Sequence, residues 1–90
     1  MKRVPVKAQF NSELMYRLRT IQLDNTFSIR KEPKLIVVYE NNIEVSVYYT
    51  RGMVRIVRFD LTTADRLTNV IDFSGRTYAG IVSLIIQLLE

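Results

Sequence analysis

The feature that most constrains the fold is the stretch 35–60, in which three short β-type runs follow one another with almost no connecting chain. β-Branched and aromatic residues dominate the runs, and only the turn residues Asn41-Asn42 and Thr50-Arg51-Gly52 separate them. Apolar runs between turn residues are typical of antiparallel hairpins. The stretch therefore predicts a β-meander with the strands Leu35–Tyr39, Ile43–Tyr49 and Met53–Phe59.

The residues before the meander predict a strand, a helix and a further short strand. Residues 4–10 alternate between apolar and polar side chains, which indicates an opening strand. Ser12 can cap a helix over about residues 13–23, although alternation within 16–23 leaves a strand there as the competing interpretation. Residues 26–30 again alternate like a short strand.

The residues after the meander predict two helices. Thr62, with an acid three residues later, matches the pattern that opens a helix. Ser74-Gly75 would end this helix, and Thr77 can cap the next one. The first helix would bury Ala64, Leu67, Val70 and Ile71. We therefore expect a single α+β domain, with an N-terminal strand and helix and two C-terminal helices packed on one face of the meander.

The composition excludes most kinds of catalytic and metal site. The chain has no cysteine and no histidine, so it lacks disulfides, the usual zinc ligands and the commonest general base. Glu32-Pro33-Lys34, with Asp24 upstream, resembles the acid and Glu-x-Lys arrangement of metal-dependent nucleases. Those enzymes hold the motif in a core strand, where Pro33 would remove a backbone amide. We expect no enzymatic activity, no metal and no cofactor.

Neither end of the sequence predicts a membrane or export segment. The basic residues 1–7 lack the apolar core of a signal peptide. The longest apolar run, residues 78–89, is too short to cross a bilayer. We expect a soluble cytoplasmic protein.

Positive charge is concentrated before the meander. Residues 1–34 hold eight Lys or Arg against three Asp or Glu, and nine of the thirteen cations in the chain are arginine. Arginine suits phosphate and carboxylate recognition because its planar fork makes paired hydrogen bonds. The distribution is consistent with an anionic partner, and equally with a solvated surface that keeps the protein soluble.

The turn lengths predict which side chains share a face of the meander. A two-residue turn at 41–42 and a three-residue turn at 50–52 place Tyr39, Tyr48 and Arg58 on one face, with Glu44 opposite Arg58. The other face, which would include Phe59, is almost wholly apolar apart from Arg55 and should carry the helices. A slip of one residue at either turn would exchange the faces.

The tyrosine-bearing face is the best candidate binding site. Tyrosine and arginine on a sheet can stack unpaired bases and contact phosphates, so we expect a small nucleic-acid-binding accessory protein that prefers single strands. The alternative is that this face is covered by a helix and its tyrosines serve packing. The expected contact residues are Tyr39, Tyr48, Arg51, Arg58, Arg30, Lys31 and Lys34.

The last helix has an apolar arc wider than one contact with a sheet requires. A second copy of the chain is one explanation, and burial between the sheet and another helix is the other. A homodimeric protein-interaction module, such as an inhibitor, adaptor or assembly subunit, is therefore the alternative function. The expected dimer contacts are Ile81, Leu84, Ile85 and Leu88.

One segment resembles a known family. Residues 43–71 run from strands through Leu-Thr-x-x-Asp-x-Leu at 61–67 into the expected helix, which resembles single-stranded-DNA-binding coactivators of the Whirly type. Those proteins carry more lysine on their binding strands. The resemblance implies a sheet-plus-helix unit that binds single-stranded DNA.

Overall fold

The three strands of the meander form the centre of a five-stranded antiparallel sheet in the computed structural model, which describes residues 5–73 and 77–90. The chain therefore has the predicted α+β fold, and the strands lie side by side in chain order. The elements are α1 (Lys7–Gln22), β1 (Ser28–Lys31), β2 (Ile36–Glu40), β3 (Ile43–Thr50), β4 (Met53–Asp60), β5 (Arg66–Asp72) and α2 (Tyr78–Leu89).

Both helices pack on the same face of the sheet. α1 contacts β1 and β3, whereas α2 contacts β2, β3 and β4. Their buried side chains meet the inward side chains of the central strands in one apolar core. The fully buried members include Phe10, Leu14 and Leu18 of α1, Ile81 and Ile85 of α2, and Val38, Val45, Val54 and Ile56 of the sheet.

α1 begins well before the predicted cap at Ser12, and the expected opening strand over residues 4–10 is wrong for residues 7–10. Phe10, Leu14 and Leu18 recur at helical spacing and are fully buried, so Phe10 extends the apolar stripe of the helix by a turn. Val6 is 63% exposed, which shows that the alternation near the N-terminus buries little. The side chain of Gln9 accepts a hydrogen bond from the Val6 amide at 3.2 Å and satisfies one donor at the helix start.

The segment expected to form the helix after Thr62 is instead strand β5. The Asp60 side chain accepts hydrogen bonds from the amides of Thr62 (2.9 Å) and Thr63 (3.3 Å), which closes a turn rather than opening a helix. Ala64 then has a left-handed φ of 64°, which reverses the chain toward β4. The helix implied by the Whirly resemblance is therefore absent from this segment.

The register agrees with prediction on one side of β3 and differs on the other. Ile36 faces Val47 across the β2–β3 ladder, as expected from the turn at Asn41-Asn42. Across the β3–β4 ladder, Thr50 pairs with Met53, so the turn has two residues rather than three. Arg51 and Gly52 form it with φ of 49° and 83°, which are the positive angles of a type I′ turn.

This one-residue shift reassigns every side chain of β4. Val54, Ile56 and Arg58 point toward the helices, while Met53, Arg55, Val57 and Phe59 lie on the opposite face. The predicted Glu44–Arg58 pair is wrong, because Glu44 faces Phe59. We call the face opposite the helices the open face, and its strand residues are Ser28, Arg30, Val37, Tyr39, Glu44, Ser46, Tyr48, Thr50, Met53, Arg55, Val57, Phe59, Arg66, Thr68, Val70 and Asp72.

α2 begins at the predicted cap, since the Thr77 hydroxyl accepts a hydrogen bond from the Gly80 amide at 3.2 Å. The predicted break at Ser74-Gly75 lies outside the described residues. The wide apolar arc of α2 is divided between the sheet, against which Ile81, Ile85 and Leu89 are buried, and α1. No helix in the two described ranges is long and apolar enough to span a membrane.

Candidate nucleic-acid interface

The open face presents three aromatic rings, each paired with an arginine from a neighbouring strand. The guanidinium carbon of Arg55 lies 4.4 Å from the centre of the Tyr48 ring, Arg30 lies 5.7 Å from Tyr39, and Arg66 lies 5.4 Å from Phe59. These separations are within the range of cation–π attraction. The strands thus place a flat ring and a cation side by side at three positions across the sheet.

Two of the three pairs follow directly from the cross-strand register, whereas Arg30 and Tyr39 are diagonal neighbours on the β1–β2 ladder. Tyr48 sits opposite Arg55 on the β3–β4 ladder, and Phe59 sits opposite Arg66 on the β4–β5 ladder. Directly opposed side chains on one sheet face are close enough to interact. The pairing of rings with arginines is therefore a property of the sheet itself and needs no loop to hold it.

No helix covers these side chains in the described part of the chain, because both helices pack on the other face. Tyr39, Tyr48 and Phe59 are each partly exposed, and Arg30, Arg55 and Arg66 are exposed. The alternative that a helix covers this face is therefore wrong for the described part of the chain. Val37, in β2 on the open face, is nevertheless only 1% exposed.

The open face also carries negative charge. Glu44 lies between the strand positions of Tyr39 and Phe59. Glu32, just beyond β1, accepts a hydrogen bond from Nε of Arg30 at 2.6 Å. This bond, with further attraction from Glu32 and Glu44, raises the pKa of Arg30. Arg55 and Arg66 have no such carboxylate pair in the described residues, so they are the freer cations of the three.

A cavity of about 370 Å³ lies where the open face meets the β3–β4 turn. Among the described residues, its lining includes three cations, no carboxylate, and Tyr48. The lining residues are Lys7, Lys34, Tyr48, Tyr49, Thr50, Met53, Arg55 and Val70. An anionic group would meet uncompensated positive charge there, beside an aromatic face.

A second basic cavity, of about 750 Å³, lies between α1 and the β1–β2 connection. Lys7, Arg19 and Lys31 line it together with the exposed ring of Tyr16. α1 lies on the helical side of the sheet, and Lys7 lines both this cavity and the 370 Å³ cavity.

The structure brings together four of the seven predicted contact residues. Tyr39, Tyr48 and Arg30 lie on the open face, and Lys34 lines the adjoining cavity. Arg51 is exposed in the β3–β4 turn.

Arg58 and Lys31 lie on the helical side, contrary to expectation. The Nε of Arg58 donates a hydrogen bond to the Leu88 carbonyl at 2.7 Å, so Arg58 satisfies an acceptor at the C-terminus of α2. Lys31 lines the helical-side cavity and its Nζ donates to the Glu32 carbonyl. Neither residue is near the aromatic rings of the open face.

Sequence reasoning missed Arg55, Phe59 and Arg66 as site residues. The first two were placed on the wrong face by the extra residue assumed in the turn, and Arg66 was placed in a helix. Gly52 was the available signal, because an X-Gly pair flanked by β-type runs favours a two-residue turn.

The four predicted dimer contacts on α2 are of two kinds, fully buried and partly exposed. Ile81 and Ile85 are fully buried against the sheet and have no surface to offer a partner, which corrects their assignment. Leu84 and Leu88 are partly exposed beside the core.

The discarded catalytic pattern is not assembled into a metal site. Asp24 lies in the turn after α1, and Pro33 and Lys34 lie in the β1–β2 connection. Residues 5–73 and 77–90 contain no group of three acidic side chains placed to hold a metal ion.

Comparison of the chain with protein-family models, curated proteins and solved structures gave no match.

Proposed function

We propose that this protein is a cytoplasmic nucleic-acid-binding accessory protein that prefers single strands and binds them on the open face. The observation that carries the proposal is the set of three arginine–aromatic pairs on a sheet face that neither helix covers. Single-strand binders combine rings, on which bases stack, with cations that follow the phosphates. The open face supplies both components at three positions.

Single strands are favoured over duplex by the shape of this surface. The rings belong to a sheet and do not project from a helix that could enter a major groove. Unpaired bases can reach such rings, whereas bases in a duplex are already stacked on each other. Phosphates of a bound strand would meet Arg55 and Lys34 in the 370 Å³ cavity beside Tyr48.

The test is a binding titration with labelled oligo-dT, a single-stranded RNA and a duplex of equal length, each at several salt concentrations. Tyr48→Ala should weaken single-strand binding by about 1–3 kcal/mol with little change in salt slope, because it removes a stacking ring. Arg55→Ala should reduce the slope of log K against log salt by about one unit, because it removes one phosphate contact.

Matched controls lie on α1. Tyr16→Ala removes an exposed tyrosine, and Arg19→Ala removes an exposed arginine, both on the helical side. Equal losses in Tyr16→Ala and Tyr48→Ala would rule out the open face as the stacking surface. Absence of binding at low salt, where electrostatic attraction is strongest, would rule out the function.

The alternative, a protein-interaction module, is favoured by a different region. Apolar side chains on and beside β5 are unusually exposed, with Leu61 at 50%, Leu67 at 54% and Val70 at 61%. This surface, rather than α2, is where a protein partner would gain most by burial.

A further inference from the structure

Strand β5 is an edge of the sheet with exposed apolar residues on both of its faces. It ends the strand order, so only β4 pairs with it among the described residues. Leu67 projects on the helical side and Val70 on the open face, and both are more than half exposed. An edge of this kind is a template for pairing with another strand.

The opposite edge has the features that discourage such pairing. β1 has four residues, against seven in β5, and it carries Arg30 and Lys31 with Pro33 close behind. Short length, cations and proline each protect a sheet edge. β5 is longer and has no proline, and its one cation, Arg66, lies at its first position, so β5 is the less protected edge.

The ladder between β4 and β5 shows which backbone groups of β5 are directed outward. Asp60 donates its amide to the Asp65 carbonyl at 2.9 Å, and Phe73 donates its amide to the Gly52 carbonyl at 2.7 Å. In an antiparallel ladder, every second residue of a strand forms backbone hydrogen bonds with the neighbouring strand. The backbone groups of the odd-numbered residues from 65 to 73 are therefore directed toward β4. The backbone groups of Thr68 and Val70 therefore point away from the sheet.

We propose that β5 pairs antiparallel with β5 of a second copy of this chain, about a two-fold axis at Asn69. In this register Arg66 lies opposite Asp72, Thr68 opposite Val70, and Leu67 opposite Ile71 of the second copy. Opposite charges therefore face each other twice, and the exposed apolar side chains of both faces gain neighbours.

Neighbouring registers lack this complementarity. A pairing centred on Thr68 places Arg66 opposite Val70, and one centred on Val70 places Asp72 opposite Thr68.

Opposed residues in an antiparallel pair point to the same face. The two sheets thus join into one of ten strands, twice the five of a single copy, with the open faces continuous and all four helices on the other side.

The chain has no cysteine, which permits a direct test by crosslinking. Asn69 faces β4 with its backbone, so across the two-fold it forms a non-hydrogen-bonded pair with Cα atoms about 4.5 Å apart. That separation suits a disulfide. Mild oxidation of Asn69→Cys should give a disulfide-linked dimer, whereas Ser83→Cys, exposed on α2, should stay unlinked under the same conditions.

The unmodified protein should have twice the 10.5 kDa mass of one chain by light scattering. Arg66→Asp and Asp72→Arg should each shift the mass toward one chain, and the double variant should restore the dimer because the charges are exchanged. Circular dichroism of each variant checks that the fold is kept. A monomeric protein at tens of micromolar, equal crosslinking of both cysteine variants, or no rescue in the double variant would overturn the proposal.

Discussion

At the scale of single residues, three non-glycine positions in the described chain adopt positive φ, and each allows a hairpin to reverse. They are Asn41, Arg51 and Ala64. Asparagine tolerates this region through local hydrogen bonds of its side chain, but alanine has only a Cβ that crowds the backbone. Ala64 therefore accepts a conformational cost so that β5 can follow β4.

Ala64→Gly should raise the free energy of unfolding by about 0.5–1 kcal/mol, because glycine adopts a φ of 64° without that crowding. Thermal and urea unfolding measure the change. Ala79→Gly, at an exposed position in α2, should instead lower stability by up to about 1 kcal/mol. A loss in Ala64→Gly equal to that in Ala79→Gly would contradict the left-handed turn.

At the scale of elements, α2 has no cation of its own in its last turn and is completed by a residue of the sheet. Arg58 reaches from β4 to the Leu88 carbonyl, where the helix leaves acceptors unpaired and its dipole is negative. One arginine thus fixes the C-terminal end of α2 over the fourth strand.

Arg58→Ala should lower the free energy of unfolding by about 1–2 kcal/mol and leave the salt slope of nucleic-acid binding unchanged. Arg55→Ala, three positions earlier in β4 and on the open face, should leave the free energy of unfolding nearly unchanged and should reduce the salt slope. Chemical denaturation and the binding titration, run on both variants, distinguish these outcomes. Equal stability of the two variants would show that the contact with Leu88 contributes nothing.

The elements that could be predicted from sequence are those whose signals are local. The strands of the meander are rich in β-branched residues, and Thr77 directly precedes α2 with a hydroxyl in capping position. β5 was not predictable in this way, since Thr62 and Asp65 carry a helix signal that Asp60 overrides through its own bonds to the loop. The residues that β2 and β3 contribute to the open face were predicted correctly. Those of β4 were not, because the turn at Arg51-Gly52 is one residue shorter than predicted, and that difference exchanges the two faces of β4.

At the scale of the whole molecule, a cluster of four aromatic rings joins both helices to the end of the sheet. Phe10 of α1 stacks on Tyr49 of β3 with ring centres 4.1 Å apart, and Phe73 and Tyr78 pack edgewise against each other at 5.0 Å. The Tyr49 hydroxyl also donates to the Pro5 carbonyl. The attachment of the helices therefore involves Tyr49, which is buried, and Tyr78, which is partly buried.

Stability should fall as the pH rises above about 10. Burial raises the pKa of Tyr49 and of Tyr78 above the usual value near 10. The unfolded chain therefore ionises first, so the stabilisation is complete below pH of about 10 and is lost as the pH approaches the folded-state values.

Urea unfolding between pH 8 and about 11 measures this dependence. The double variant Tyr49→Phe/Tyr78→Phe should show a flatter decline, and Tyr16→Phe, which alters an exposed ring, should match the unmodified protein. An identical decline of stability in all three proteins would contradict the assignment to Tyr49 and Tyr78.

The division of tyrosines between the two sides of the sheet has an optical consequence. The chain has five tyrosines and no tryptophan, so its ultraviolet emission comes from phenol rings alone. Tyr49 and Tyr78 belong to the aromatic cluster, Tyr16 is on the surface of α1, and Tyr39 and Tyr48 lie on the open face. A ligand stacked on the open face would quench the last two and leave the others emitting, so the unlabelled protein carries its own reporter of which surface is occupied.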